Sequence, residues 1–136
     1  MDFDTARHIL RTQHHAVMAT MRKDGMPQMS PVVATVDDAG FVIVSTRATA
    51  YKVRNIRRDP RVSLCVLPDN FFGQWIRLDG TADVVALPDA LGGLEDYYRR
   101  ISGEHPDWDE YRTMMRQEQR VLVRMDLVRA GPDHSG

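Results

Sequence analysis

The chain has 136 residues, the size of one domain, with 43% hydrophobic residues and a formal net charge of −1. That balance excludes a global field that would recruit nucleic acid or an anionic membrane, and the single cysteine, Cys65, excludes an internal disulfide framework or a CxxC site. One thiol, an acidic start (Met1-Asp2-Phe3-Asp4) and no apolar run near the ~20 residues that span a bilayer lead us to expect a cytoplasmic protein with no membrane span.

Asp4 to Gln13 reads as a short amphipathic helix, with Phe3, Ala6, Ile9 and Leu10 on one face. The period then changes. His15 to Met21 reads as a buried strand ending in Arg22-Lys23-Asp24-Gly25, and Asp-Gly is a strong turn signal. Gln28 to Val36 is a second strand. Pro31 inside it marks an edge, a bulge or an unpaired amide. After the turn at Asp37 to Gly40, Phe41 to Ser45 is a third strand. Ala50 to Arg58 reads as a short basic helix, capped by Thr49 and stopped before Pro60.

Val62 to Leu67 alternates cleanly as a fourth strand, and Pro68 to Gly73 is a loop. Trp75 to Val85 alternates for longer, with Ile76, Leu78, Gly80, Ala82 and Val84 on one face. Two helices follow. The first carries Leu91, Leu94, Tyr98 and Ile101. The second opens on a capping pair, Asp107 and Glu110, ahead of Trp108, Tyr111 and Met115. Val121 to Val128 is the last strand. Residues 131–136 read as a flexible polar tail after one domain over 1–130. Six strands with short helices between them favour closure into a small antiparallel barrel, which removes exposed edges.

The most informative stretch runs from Ser45 to Arg61. Two hydroxyls, Ser45 and Thr46, end a strand just before a helix whose first amides have no internal partners, an arrangement that suits a phosphate. Lys52 in the first turn opposes the helix dipole unless an anion is bound there. Arg47 and Arg54 can add charge-assisted hydrogen bonds. The plainer reading is a solvated basic helix face. A nucleic-acid site has little support, because only Tyr51 interleaves the arginines and no DNA- or RNA-binding motif is present. No HExxH-type metal spacing and no GxSxG elbow occur, and His105 reads as structural. With no catalytic constellation, any enzymatic chemistry would fall to a cofactor.

The run Ala19-Thr20-Met21-Arg22-Lys23-Asp24-Gly25-Met26-Pro27-Gln28-Met29-Ser30-Pro31-Val32 resembles the opening of the pyridoxamine-phosphate-oxidase-like split-barrel superfamily. Lys52-Val53-Arg54-Asn55-Ile56-Arg57-Arg58-Asp59-Pro60-Arg61 resembles the phosphate-binding helix of its coenzyme F420-dependent branch, as does Gly80-Thr81-Ala82 in the fifth strand. Gly103-Glu104-His105-Pro106-Asp107-Trp108-Asp109-Glu110-Tyr111 is similar to a signature of one actinobacterial subgroup.

The resemblance implies a mainly β (α+β) fold, a six-stranded antiparallel split β-barrel with short flanking helices. It also implies a homodimer with cofactor at the interface. The deazaflavin ring would lie by Gln28, Met29, Ser30, Pro31 and Val32. Ser45, Thr46 and Lys52, with Arg47 nearby, match the positions that hold the phosphate or polyglutamyl tail. Asn55 and Arg58 would support that site, and Trp75 with the Phe71–Gln74 loop would close over the ring from the partner. Relatives often carry a second basic residue two positions before the lysine, where this chain has Ala50.

Three functions follow as expectations. The first is hydride transfer from reduced F420 to an electrophilic conjugated small molecule such as a quinone, tetrapyrrole or unsaturated lactone. The second is an FMN-dependent oxidase or reductase on the same fold. The third is a non-catalytic cofactor carrier or sensor.

Overall fold

A computed structural model describes residues 1–135, and the side chains of residues 1–133. Its order is α1 (Phe3–Leu10), β1 (His15–Met21), β2 (Pro27–Val36), β3 (Val42–Arg47), α2 (Tyr51–Arg58), β4 (Arg61–Val66), β5 (Gln74–Val85), α3 (Leu91–Ser102), α4 (Trp108–Gln117) and β6 (Arg120–Ser135). The strands close into an antiparallel barrel in the order β1-β2-β3-β6-β5-β4.

The alternation seen in the sequence becomes the inside and outside of that barrel. Met18, Leu64, Val66, Ile76, Leu78, Val123 and Met125 fill its interior, and α1 adds Ala6 and Leu10 to the same core. Each of the larger side chains, Ala6 aside, contributes roughly 1.5–3 kcal/mol when fully buried. Asp2 caps α1 by accepting the Thr5 amide at 2.7 Å. A second, smaller core lies outside the barrel wall, where Leu94, Tyr111 and Met115 of α3 and α4 pack on Ile43 and Leu122. Asp107 caps α4, as the sequence predicts, accepting the Glu110 amide at 3.2 Å.

Gly80 sits where two strands nearly touch. A Cβ there would lie 2.1 Å from the Asp126 carbonyl oxygen. The β5–β6 register shifts on either side of Asp79, so the strand bends at this point.

The structure departs from the sequence reading in two places. Thr49 does not cap α2. The N-cap is Ala50, with no side-chain cap bond, because a tight turn (Ala50 amide to Arg47 carbonyl, 3.0 Å) carries β3 straight into the helix. The polar segment 131–135, read as loose tail, instead pairs with the start of β5, Gln74 opposite Ser135 and Ile76 opposite Asp133. Backbone pairing needs no apolar side chains, so its composition concealed it. Gly136 lies outside the described residues.

β2 is the strand that makes a site possible. It pairs with β1 from Pro27 to Val33, but with β3 only from Ala34 to Val36. Pro31, which lacks an amide hydrogen, falls in the half that is paired on one side only. Beyond Ala34 and Val44, β2 and β3 part.

Candidate functional site

A groove of ≈ 770 Å³ opens where β2 and β3 part. It gathers five of the residues singled out in the sequence: Pro31 and Val32 from β2, Ser45 and Thr46 from β3, and Lys52 from α2. The opposite wall is aromatic and comes from α3 (Tyr97 and Tyr98), α4 (Tyr111) and the segment between them (His105). Arg120, at the start of β6, completes it.

The electrostatics of the groove are unbalanced toward positive charge. Lys52 is half-buried and has no hydrogen bond or ion pair among the described residues. Burial, and then the nearby Arg120, hold its ammonium below the ordinary lysine range. Arg120 and Arg47 stand opposite each other in the β3–β6 register. Both bind one carboxylate oxygen of Glu118, at 2.9 Å and 3.3 Å. The hydrogen bonds from Arg120 hold the Glu118 carboxyl below its usual range. Two arginines therefore share one carboxylate at this end of the groove, and Lys52 stands without one, beside two hydroxyls and the uncapped start of α2.

The aromatic wall is fixed by hydrogen bonds. Tyr111 donates to the Leu94 carbonyl at 2.7 Å, and burial pushes its hydroxyl up to about 12. Tyr97 donates to the Val33 carbonyl at 2.7 Å. Burial raises its hydroxyl too, while the Ser45 backbone amide pulls the other way. His105 accepts the Asp107 amide on Nδ1 at 2.9 Å, so its neutral ring carries the proton on Nε2. Its ring lies 5.1 Å from Tyr98 and 5.5 Å from Tyr111.

The remaining sequence-derived residues lie elsewhere. Met29 and Trp75 line a second, mainly apolar depression of ≈ 870 Å³ on the outer face of β1, β4 and β5, together with Val17, Ala19 and Val128. Gln28, Asn55 and Arg58 belong to a hydrogen-bond chain that lines neither concavity. Thr20 Oγ1 donates to Gln28 Oε1 (3.1 Å), Asn55 Nδ2 donates to Thr20 Oγ1 (3.0 Å), and Arg58 donates to Asn55 Oδ1 (3.1 Å) and to the Met21 carbonyl. Asn55 is buried, and this chain ties α2 to β1. Ser30 Oγ is buried without a hydrogen-bond partner among the described residues. Arg47 does not line the groove and is linked to it only by sharing Glu118 with Arg120.

Sequence reasoning missed Arg120, Tyr97 and the placement of His105. Arg120 is remote in sequence from Lys52, and only the β3–β6 pairing brings the two together. His105 carries a signal, its motif, but a histidine before a proline at a helix start reads as structural from sequence alone, and the fold sets it on the groove wall.

Among the described residues no cluster of His, Cys, Asp and Glu could hold a metal ion, and no helix is long and apolar enough to cross a membrane.

Barrel topology and the parted strands define a split-barrel protein. The family model described as pyridoxamine 5'-phosphate oxidase matches residues 3–131, and the chain belongs to that family. Solved structures agree on the fold. The conserved hypothetical protein Rv2991 from Mycobacterium tuberculosis is similar at 25% identity and TM-score 0.78, over 99% of this chain and 85% of that one. A protein titled F420 reductase matches at 24% identity and TM-score 0.67, over 92% and 94% of the two chains. The heme storage protein HutZ from Vibrio cholerae matches at 18% identity and TM-score 0.73, over 100% and 98%.

Proposed function

We propose that this protein is an F420-dependent oxidoreductase, a cytoplasmic homodimer that reduces an electrophilic conjugated small molecule. The observation that carries the reading is the groove in which Lys52 and Arg120 face the same space beside Ser45 and Thr46. Two cations brought together beside apolar walls repel one another, and an anionic ligand relieves that cost. The cradle fits a phosphate or carboxylate tail, with hydroxyls and uncapped helix amides as further donors. Arg120 stands in for the basic residue that this chain lacks at Ala50. The KxRNxRRDPR resemblance supports the deazaflavin branch.

When bound, the cofactor supplies the hydride. The chain's own residues bind and orient it. Lys52 and Arg120 hold the anionic end. Pro31 and Val32 form the wall against which a flat ring packs. The aromatic residues of α3 and α4 narrow the space left for substrate and exclude water. In the dimer, the apolar face of β1, β4 and β5 is buried against its copy, and Trp75 approaches the partner's groove.

Titration with F420 and with FMN, each followed by fluorescence, tests the cofactor. The protein should bind F420 saturably and, with reduced F420, turn over a quinone or unsaturated lactone. FMN held tightly with no F420 response would replace it with a flavin-dependent oxidase or reductase. F420 binding without oxidation of the reduced form across a broad acceptor panel would leave a carrier.

A further inference from the structure

Tyr97 occupies a position that a strand ladder would normally fill. β2 and β3 are paired at Ala34–Val44, and one step further along the register Val33 would oppose Ser45. That pair is absent from the ladder. The Tyr97 hydroxyl sits in its place, donating to the Val33 carbonyl at 2.7 Å and acted on by the Ser45 backbone amide. The neighbouring residues, Val32 on one side and Thr46 on the other, line the groove.

We infer that Tyr97 is a positioning residue, a wedge whose hydroxyl replaces the next β2–β3 ladder interaction and so holds the groove open at a fixed width before any ligand arrives. Buried backbone groups must be paired, and parting two strands leaves a carbonyl and an amide without partners. A phenol can serve both, because its oxygen donates one hydrogen bond and accepts another. The ring is well suited to the spacing. It is rigid, it comes from α3 packed outside the wall, and its body packs against the outer core that Ile43, Leu94, Tyr111 and Leu122 form. The width of the opening is then set by the protein, and ligand binding does not bear the cost of parting the strands.

This inference rests on the groove being the cofactor site, but its first test does not. Tyr97→Phe keeps the ring and removes only the hydroxyl. In the cofactor-free protein, amide hydrogen exchange at Ser45 should accelerate at least tenfold relative to the parent, with Val36 and Val44 unchanged. Exchange at Ser45 equal to the parent's would overturn the wedge, whatever the cofactor proves to be. The second readout is F420 affinity. Tyr97→Phe should raise Kd about tenfold, whereas Ile76→Val, which trims the barrel core and lines neither concavity, should lower thermal stability and leave Kd as it was. Equal Kd changes in the two variants would reduce Tyr97 to a structural role. An accelerated Ser45 amide in a protein that binds neither F420 nor FMN would sustain the wedge and overturn the cofactor reading.

Discussion

The two concavities of this barrel are similar in size and opposite in character. The outer depression on β1, β4 and β5 is mainly apolar, and its polar edge is neutralised internally: Ser63 donates to Asp79 at 2.6 Å and Arg77 pairs with Asp79 at 3.0 Å. The groove between β2 and β3 has more cations than its own carboxylate can neutralise, with Lys52 left unpaired among the described residues. An apolar surface with its charges satisfied suits another protein surface. An aromatic-walled groove with surplus positive charge suits a small anionic ligand. The contrast distinguishes a face with the chemistry of a protein contact from a split with the chemistry of an anion site.

The largest expected effect tests the frame that both regions share. Gly80→Val would drive a side chain into the Asp126 carbonyl on the neighbouring strand, and backbone cannot yield as a flexible side chain can. It should cost about 3 kcal/mol or prevent folding, as other overpacked sites do. Denaturant unfolding checks it, and parent-like stability would mean that β5 and β6 do not approach this closely.

The next effects bear on one region at a time. Asn55→Ala breaks the chain that joins α2 to Thr20, and leaving a buried partner unsatisfied costs roughly 1–3 kcal/mol. Because Asn55 lines neither concavity, the loss should appear in thermal stability and leave cofactor affinity nearly unchanged. Met29→Arg tests the apolar face. Met29 is 65% exposed in the single chain, so its replacement should leave the protomer folded while sedimentation shows the dimer dissociating. A dimer that persists would put the interface elsewhere.

The smallest effect sharpens the contrast most. The Lys52 ammonium is held below its ordinary range, so protonating it opposes folding. The cost is absent above the unfolded-state pKa of the lysine and is felt as pH falls through the lowered folded-state value, hence fully at neutral pH. Lys52→Met should therefore stabilise the cofactor-free protein at pH 7, by under about 1 kcal/mol because the site is partly solvated. The gain should vanish near pH 11, and a destabilised variant at pH 7 would mean that Lys52 serves the fold.

The sequence carries the barrel well because alternation is a local signal. Ile76, Leu78, Gly80 and Ala82 announce an inward face without knowing their partners, and the structure buries all four. Half of the groove is legible for the same reason, since Ser45, Thr46 and Lys52 lie within one strand–turn–helix. The other half is not. Arg120 meets Lys52 only because β6 pairs with β3, and Tyr97 matters only because β2 and β3 part where they do. Asn55 and Arg58 show the other limit of a local signal. They share the helix with Lys52, and proximity in sequence suggested a common task, but a helix presents different faces and theirs turns toward β1.

The central claim, that the groove at Lys52 is the cofactor site, is tested most directly by F420 affinity in the parent, Lys52→Ala and Arg120→Ala. A lost charge-assisted hydrogen bond is worth about 1.5–3 kcal/mol, so each variant should raise Kd roughly 10- to 100-fold, with the weakened binding less sensitive to salt than the parent's. Parent-like affinity in both variants would contradict the account and move the cofactor out of this groove.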